Sequence, residues 1–222
     1  MKYKYLSILL FILNLSSVCF SQSTSETIKS IDKKLTRVET TITKVLTDSS
    51  LMYLHSLTAF REVIKKHALP EKIKLNTENE SGTPITIKGI VLNQEGHFQT
   101  NKLVYVYQTS SKGWYSDTGV HVLQNEGDRK HARLFGYFKT DGLGKFEFKT
   151  IKPAGYPRSG LPAHIHIEIM GERDMLITEL QFDDDPRLTE EVRNRSIKEH
   201  FIIEKNIGTM AEPIYSYTIF IN

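Results

Sequence analysis

The chain has 222 residues, of which 39% are hydrophobic and 25% are charged. This composition is typical of a globular protein and excludes a disordered or fibrous chain. A formal net charge of +3 is too small to indicate a nucleic-acid partner. The length allows one domain with an appendage.

The first 21 residues have the pattern of a secretory signal. Lys2 and Lys4 precede an apolar stretch over residues 6–15, and a polar segment follows it. These features predict cleavage after Ser21 and export to the periplasm or the extracellular space. A retained anchor helix is the alternative interpretation. Cleavage would also remove the single cysteine, Cys19, and would leave no long apolar run for a membrane span in the mature chain.

Residues 22–75 are predicted to form a helical arm. Apolar residues in its first half recur at alternating spacings of three and four, which indicates a heptad-like seam. They are Ile28, Ile31, Leu35, Val38, Ile42 and Val45. Asp48 or Ser49 is predicted to cap a second helix that ends before Pro70. Two interpretations stay open: an arm that forms a homodimer, and a helix pair packed on its own domain.

Residues 76–84 are predicted to form a polar linker or loop, and after it the hydrophobic pattern changes to the period of two that is typical of strands. The predicted strands are 85–91, 103–107, 135–139, 145–149, 163–170, 176–182 and 216–221. Short strands separated by turn residues predict a mainly β protein, in which a β-sandwich core over residues 76–222 follows the helical segment. Residues 187–199 are predicted to form a loop with one helical turn.

Two histidines in one predicted strand are candidate metal ligands. Residues two apart in a strand point to the same face, so His164 and His166 project side by side. A bound metal holds two adjacent imidazoles neutral. Glu168 shares this face and would complete a two-histidine, one-carboxylate site for Fe(II) or zinc. A pair of partly exposed strand histidines is the simpler alternative.

Two tyrosines lie in predicted loops, where binding residues concentrate. Tyr115 ends a polar loop that contains Gly113, and Tyr156 sits between Gly155 and Pro157. The flanking glycine and proline restrict the direction in which the Tyr156 phenol points. Taken singly, an ordinary core or surface position is the simpler interpretation of each tyrosine.

Together these segments carry a resemblance to a known family. The Tyr-Pro turn at 156–157, followed by Pro-Ala-His-Ile-His at 162–166, is the specific part of the pattern. Weaker matches are Gly89-Ile90-Val91 with the turn that follows it and the Thr-Asp-Gly-Leu-Gly-Lys-Phe-Glu-Phe stretch at 140–148. Gly113-Trp114-Tyr115 also matches the pattern. From about residue 88 to residue 186 the chain resembles the intradiol ring-cleavage dioxygenases, the group that includes catechol 1,2-dioxygenase and protocatechuate 3,4-dioxygenase.

The resemblance implies a mononuclear non-haem Fe(III) ion held by Tyr115, Tyr156, His164 and His166. It implies an oxidoreductase of aromatic compound catabolism, in which O2 cleaves a catechol-type substrate between its two hydroxylated carbons. Tyr156 would be both a ligand and the base that accepts a substrate proton. Phenolates supply negative charge to balance a ferric ion, and imidazoles supply neutral positions.

Two positions depart from the family pattern. The family has an arginine three residues before the first histidine, where this chain has Leu161. It also has a glutamine in the strand after the histidines, and alignment puts Glu179 there. A cation beside the substrate stabilises charge that develops on the ring, and a carboxylate near Fe(III) adds negative charge or itself ligates. The alternative function is therefore a non-catalytic β-sandwich binding module that retains a metal or catechol site.

Overall fold

The computed structural model describes residues 22–116, 132–171 and 175–221. The predicted signal segment and its cleavage site at Ser21 lie outside this range. By its internal packing the chain divides into two compact units, with the boundary between Thr41 and Ile42. Within the described residues, no helix has both the length and the apolar character needed to cross a membrane.

The predicted heptad seam does not run through one continuous helix. The first unit contains helix α1 over residues 22–36. Beyond it, Val38 has a φ of 57° and is 84% exposed. A β-branched residue in the left-handed region breaks a right-handed helix. Ile42 and Val45 belong to α2 (Ile42–Thr47) of the second unit, so the seam is divided between two helices. The homodimer stays a prediction.

Two more helical segments follow in the second unit, a 3-10 helix (Ser49–Leu54) and α3 (Thr58–Lys66). The side chain of Asp48 caps the 3-10 helix by accepting a hydrogen bond from the Ser50 amide at 2.9 Å. Phe60 of α3 is fully buried, and its ring meets that of Phe135 edge to face. This part of the predicted arm therefore packs on a sheet of the same unit.

The strands are β1 (Ile73–Lys74), β2 (Pro84–Asn93), β3 (Leu103–Gln108), β4 (Leu134–Lys139), β5 (Lys145–Ile151), β6 (His164–Met170), β7 (Met175–Phe182), β8 (Ile202–Glu204) and β9 (Ile214–Ile221). They form two mixed sheets, with the orders β1-β5-β2-β9 and β4-β3-β6-β7-β8. The predicted mainly β class and β-sandwich are confirmed.

Two short strands and one helix differ from the elements that the sequence predicts. Strands β1 and β8 have only two and three residues, which is too short for an alternating pattern to be visible in the sequence. The predicted loop at 187–199 contains a nine-residue helix, α4 (Glu190–Lys198), capped by the Thr189 hydroxyl. Ser196 is its one buried residue, so the helix has no apolar stripe by which the sequence could reveal it.

Strand β6 presents opposite chemistry on its two faces. Ile165, Ile167 and Ile169 are fully buried, as expected for the face that points into the sandwich. The intervening residues His164 and His166 belong to the other face. The candidate site therefore lies on the outer face of the five-stranded sheet, and the interior of the sandwich supports it from behind.

Candidate active site

The four side chains that were predicted to bind a metal come together in the structure. The Tyr115 hydroxyl lies 2.7 Å from the Tyr156 hydroxyl and 2.9 Å from His166 Nε2. The Tyr156 hydroxyl also lies 3.1 Å from His164 Nε2 and 3.5 Å from His166 Nε2. Two phenol oxygens and two imidazole nitrogens thus point into one small volume, although they come from three separate segments.

The two loops that carry the tyrosines pack backbone against backbone. The Thr109 hydroxyl donates to the Ala154 carbonyl at 2.7 Å, and the Ala154 amide donates to the Ser110 carbonyl at 3.1 Å. Gly113 has a φ of 81°, and a Cβ atom at this position would lie 2.5 Å from the Gly155 carbonyl oxygen. The close approach of the loops therefore requires glycine at position 113.

A partly buried ion pair anchors the loop of Tyr115 from the other side. The Arg133 amide donates to the Tyr115 carbonyl at 2.9 Å. The Arg133 guanidinium in turn binds both carboxylate oxygens of Glu80, at 2.5 and 2.7 Å. A bidentate pair of this kind fixes direction as well as distance. The backbone of Tyr115 is therefore held in place by contacts that do not involve its own side chain.

The surroundings of the two histidines determine which ring nitrogen carries the proton. His164 Nδ1 lies 2.8 Å from the Pro162 carbonyl oxygen, which can only accept, so Nδ1 donates and Nε2 is the ring nitrogen that faces the Tyr156 hydroxyl. Burial, and then the charge of His164, lower the pKa of His166 to about 3, so that this ring is neutral at physiological pH. A neutral His166 with its Nε2 directed at the Tyr115 hydroxyl is in the form that binds metal.

Glu179 lies behind His166, on the neighbouring strand β7. The two residues are register partners, and Glu179 Oε1 lies 3.6 Å from His166 Nδ1, the ring nitrogen remote from the phenols. His164, His166 and Glu179 also form a cluster in which one ligand atom from each lies within 4.8 Å of the others. Glu179 is therefore placed to orient His166 from the side of the ring that faces away from the phenols.

Glu168 does not belong to this cluster. It is buried and lies opposite Tyr105 of β3. Among the described residues, the carboxylate that joins the two histidines is Glu179. Glu168 shares a face with the histidines, but it lies two positions beyond His166 along the strand.

Leu161 lies in the loop between Tyr156 and β6, and it is 40% exposed. The backbone carbonyl of Leu161 faces the Arg187 guanidinium, with 3.4 Å between the oxygen and Nη1. The same guanidinium nitrogen donates to the Tyr156 carbonyl at 3.0 Å. Arg187 does not stand out in the sequence, because its contacts depend on how a distant loop crosses this one.

Gln181 is a second residue that the sequence analysis missed. It lies opposite His164 in β7, and its side chain donates to Glu179 Oε2 at 3.3 Å. Gln181 Oε1 is buried and has no hydrogen-bond partner among the described residues. The period of two in β7 is the signal that could have found it, because position 181 shares a face with position 179.

A row of stacked aromatic rings supports His166. Its imidazole lies parallel to the Tyr107 ring, with 4.4 Å between centroids and 11° between planes. Tyr105 stacks on Tyr107 at 5.2 Å, and Tyr137 stacks on Tyr105 at 4.4 Å. Such contacts restrict the plane of the His166 ring before any ligand binds.

The two phenols differ in exposure. Tyr115 is buried, and burial together with the neighbouring Tyr156 phenol raises the pKa of Tyr115 well above its ordinary value. Tyr156 is half-buried. An ionised phenol at Tyr115 therefore requires a cation beside it, and a bound metal would be that cation.

Comparisons with known proteins agree with this geometry. A family model described as dioxygenase matches residues 62–220. The protocatechuate 3,4-dioxygenase beta chain of Burkholderia cepacia is 32% identical over 116 residues, which are 48% of this chain and 48% of that protein. Catechol 1,2-dioxygenase 1 of Acinetobacter lwoffii is 27% identical over 157 residues, or 62% of this chain and 49% of that protein. The chain thus spans about half the length of these curated relatives.

A solved structure matches the fold over most of the chain. It is the dioxygenase domain of a dioxygenase and carbohydrate-binding protein fusion from Streptomyces sp. SirexAA-E, with a TM-score of 0.54 and 22% identity. The match covers 70% of this chain and 89% of that domain.

Proposed function

The chain belongs to the intradiol ring-cleavage dioxygenase family, and we propose that it is an exported Fe(III) dioxygenase that cleaves a catecholic ring with O2 between the two hydroxylated carbons. One observation carries the proposal. The hydroxyls of Tyr115 and Tyr156 lie within hydrogen-bond distance of each other and of a histidine Nε2 atom.

The chemistry of this donor set suits a ferric ion. Tyr115 and Tyr156 would supply two anionic oxygens, and His164 and His166 would supply two neutral nitrogens. The raised pKa of Tyr115 means that its phenolate is stable only beside a cation. Bound Fe(III) would supply the Lewis acidity that holds a deprotonated catechol and makes its ring reactive towards O2.

Tyr156 is the residue that we assign as the base. Tyr115 is buried and its carbonyl is tied to the Arg133 amide, whereas Tyr156 is half-buried on a short turn. The Tyr156 phenol is therefore the one that a substrate can reach, and its oxygen would accept a proton from the catechol. His164 Nε2, at 3.1 Å, lies beside the oxygen that takes this proton.

Glu179 and Leu161 are the positions where this chain departs from its family. The carboxylate of Glu179 would raise the basicity of His166 and add negative charge beside the metal. Leu161 offers no charge to a substrate ring. Both features support slower turnover than an arginine and a glutamine would give, and neither removes a metal ligand.

The experiment loads the purified full chain with ferric iron under nitrogen and records its visible absorption. We expect a tyrosinate-to-Fe(III) band that moves to longer wavelength when catechol is added. Admitting O2 should then consume catechol and O2 in equal amounts and yield a muconate-type diacid. The Tyr156→Phe variant should lose turnover, and the exposed Tyr53, changed to Phe, is the matched control.

The outcomes separate the two candidate functions. A band that shifts with catechol but no consumption of O2 would indicate the binding module. A wild-type protein with neither iron nor a band after loading would overturn the assignment of the metal site.

Export and assembly need separate tests. Export rests on residues 1–21, and the N-terminal sequence of the protein recovered outside the cytoplasm tests it, with Gln22 as the expected first residue. The homodimer through the helical arm is tested by sedimentation of the full chain and of a Val38→Asp variant, because Val38 is an exposed apolar side chain of the arm and an aspartate there would oppose its burial against a second copy.

A further inference from the structure

We propose that Asp185, Pro186 and Arg187 form a clip that holds both ends of the loop between Tyr156 and His164. Arg187 is then a positioning residue for Tyr156. The catalytic importance of the clip rests on the proposed function, whereas the clip itself is a property of the chain alone.

Arg187 holds the first part of this loop. Its Nη1 lies 3.0 Å from the Tyr156 carbonyl oxygen and 3.4 Å from the Leu161 carbonyl oxygen. One cationic group thus joins two backbone carbonyls that are five positions apart. Hydrogen bonds from a charged donor are stronger than those from a neutral one.

The chain leaves room for this guanidinium at Gly155. A Cβ atom there would lie 2.6 Å from Arg187 Nη1 and 2.3 Å from the Leu161 carbonyl oxygen. Any side chain at position 155 would therefore displace the guanidinium or the loop. The missing side chain at Gly155 leaves the space that the Arg187 guanidinium occupies, which indicates a specific contact rather than a chance approach of a surface arginine.

Asp185 holds the other end of the loop. Its Oδ2 accepts a hydrogen bond from the amide of Ala163, the residue before His164, at 2.8 Å. Its Oδ1 accepts from the Arg187 amide at 2.8 Å, which turns the backbone so that Arg187 reaches back over the loop. Pro186 restricts the backbone between the two residues. The same three-residue segment therefore holds both ends of the loop.

The loop needs such support because its own packing is weak. Residues 157, 158, 160 and 161 are exposed, so the loop buries little apolar surface. Yet the 3.1 Å distance between the Tyr156 hydroxyl and His164 Nε2 depends on the positions of both ends of the loop. Without the clip, Tyr156 would be displaced from the other three donor atoms while the strand that bears His164 stays in place.

The first test uses hydrogen exchange of the metal-free full chain. In the Arg187→Gln variant we expect the amides between residues 156 and 164 to exchange about tenfold faster, since a hydrogen bond from a charged group is lost. Arg187→Lys keeps the charge and should give a smaller increase. Asp185→Ala should open the same segment, most strongly at Ala163. Exchange elsewhere in the chain should stay unchanged.

Arg193→Gln is the matched control. Arg193 lies on α4, six positions from Arg187, and pairs with Asp183 at 2.7 Å. Its removal also deletes one arginine and one ionic contact from this region, but no contact with the loop. Exchange between residues 156 and 164 should equal that of the wild type.

The second readout is the resting ferric protein without substrate or O2. Arg187→Gln should bind iron about tenfold or more weakly, with a weaker tyrosinate-to-Fe(III) band per bound iron. Arg187→Lys should restore part of the band, and Arg193→Gln should match the wild type.

If the amides between residues 156 and 164 exchange in Arg187→Gln at the same rate as in the wild type, the clip is overturned. An equal acceleration of amide exchange throughout the chain would overturn it as well. If Arg187→Gln fails to fold, Asp185→Ala decides in the same way. A wild-type protein without a ferric band would overturn the proposed function instead, and the exchange data would still decide on the clip.

Discussion

The hydroxyl of Tyr115 lies 2.7 Å from that of Tyr156, although 41 positions separate the two residues in the chain. Burial alone disfavours an ionised phenol at Tyr115, and a second phenol at this distance disfavours it further. Ionised forms of both phenols would therefore need a cation beside the two oxygens, as in the proposed metal site. The distance between the two hydroxyls connects the fold to the proposed chemistry.

Replacing Gly113 by alanine should separate the two tyrosines. The new Cβ would lie 2.5 Å from the Gly155 carbonyl oxygen, on a residue whose φ is 81°. We expect a loss of stability of about 1–3 kcal/mol, together with a loss of the ferric band. Chemical unfolding and iron-loaded absorption spectra measure the two effects.

Gly96→Ala provides the control for Gly113. Gly96 has a similar φ of 85°, but a Cβ there meets nothing within 4 Å. It should cost about 1 kcal/mol of stability through backbone strain, with an unchanged ferric band. A normal band in Gly113→Ala would show that the tyrosine loops approach each other for another reason.

Glu179→Gln should weaken metal binding and change the colour of the ferric protein. The substitution keeps an acceptor 3.6 Å from His166 Nδ1 but removes its negative charge. A less negative environment makes the metal a stronger Lewis acid, so the tyrosinate band should move to longer wavelength. Affinity for iron should fall about tenfold. A band at unchanged wavelength would indicate that Glu179 has no electrostatic influence on the metal.

Leu161→Arg should raise the turnover of the iron-loaded protein. Position 161 lies on the loop beside Tyr156, and an arginine there would stabilise charge that develops on the substrate ring. We expect an increase in kcat of about tenfold or more, with little change in iron content. Leu143→Arg, at an exposed turn remote from the site, adds the same charge as a control. An equal rise in both variants would mean that net charge is responsible.

His55 should make the stability of the protein depend on pH. His55 is 1% exposed, and burial lowers its pKa from 6.5 to about 4. Because the unfolded chain binds this proton more readily, the contribution of His55 is complete above pH 6.5 and is lost as the pH falls to about 4. The loss amounts to about 3 kcal/mol.

Urea unfolding of the wild type and of His55→Phe at pH 7 and pH 4 checks this expectation. Carboxyl groups titrate in both proteins, so the difference between them isolates His55. The wild type should lose more stability between the two pH values. Equal losses would mean that His55 is protonated in the folded protein without penalty.

The local features of the site were readable in the sequence. The period of two in β6 placed His164 and His166 on one face, and the glycine and proline around Tyr156 indicated a fixed turn. Each of these conclusions depends on residues that are near neighbours in the chain, where backbone geometry leaves few choices. The mainly β fold was predictable for the same reason, because strands such as β2 and β9 alternate buried and exposed residues.

Contacts between distant segments were decided by the tertiary structure. The position of Glu179 behind His166 depends on the register of β6 and β7, and the reach of Arg187 to the Tyr156 carbonyl depends on a loop crossing. The short strands β1 and β8 form only because longer strands lie beside them. The sequence by itself therefore determined which donor atoms are available and which face they share. Their meeting at one point was decided by the tertiary structure, because loop lengths, strand register and the Arg133–Glu80 ion pair act together.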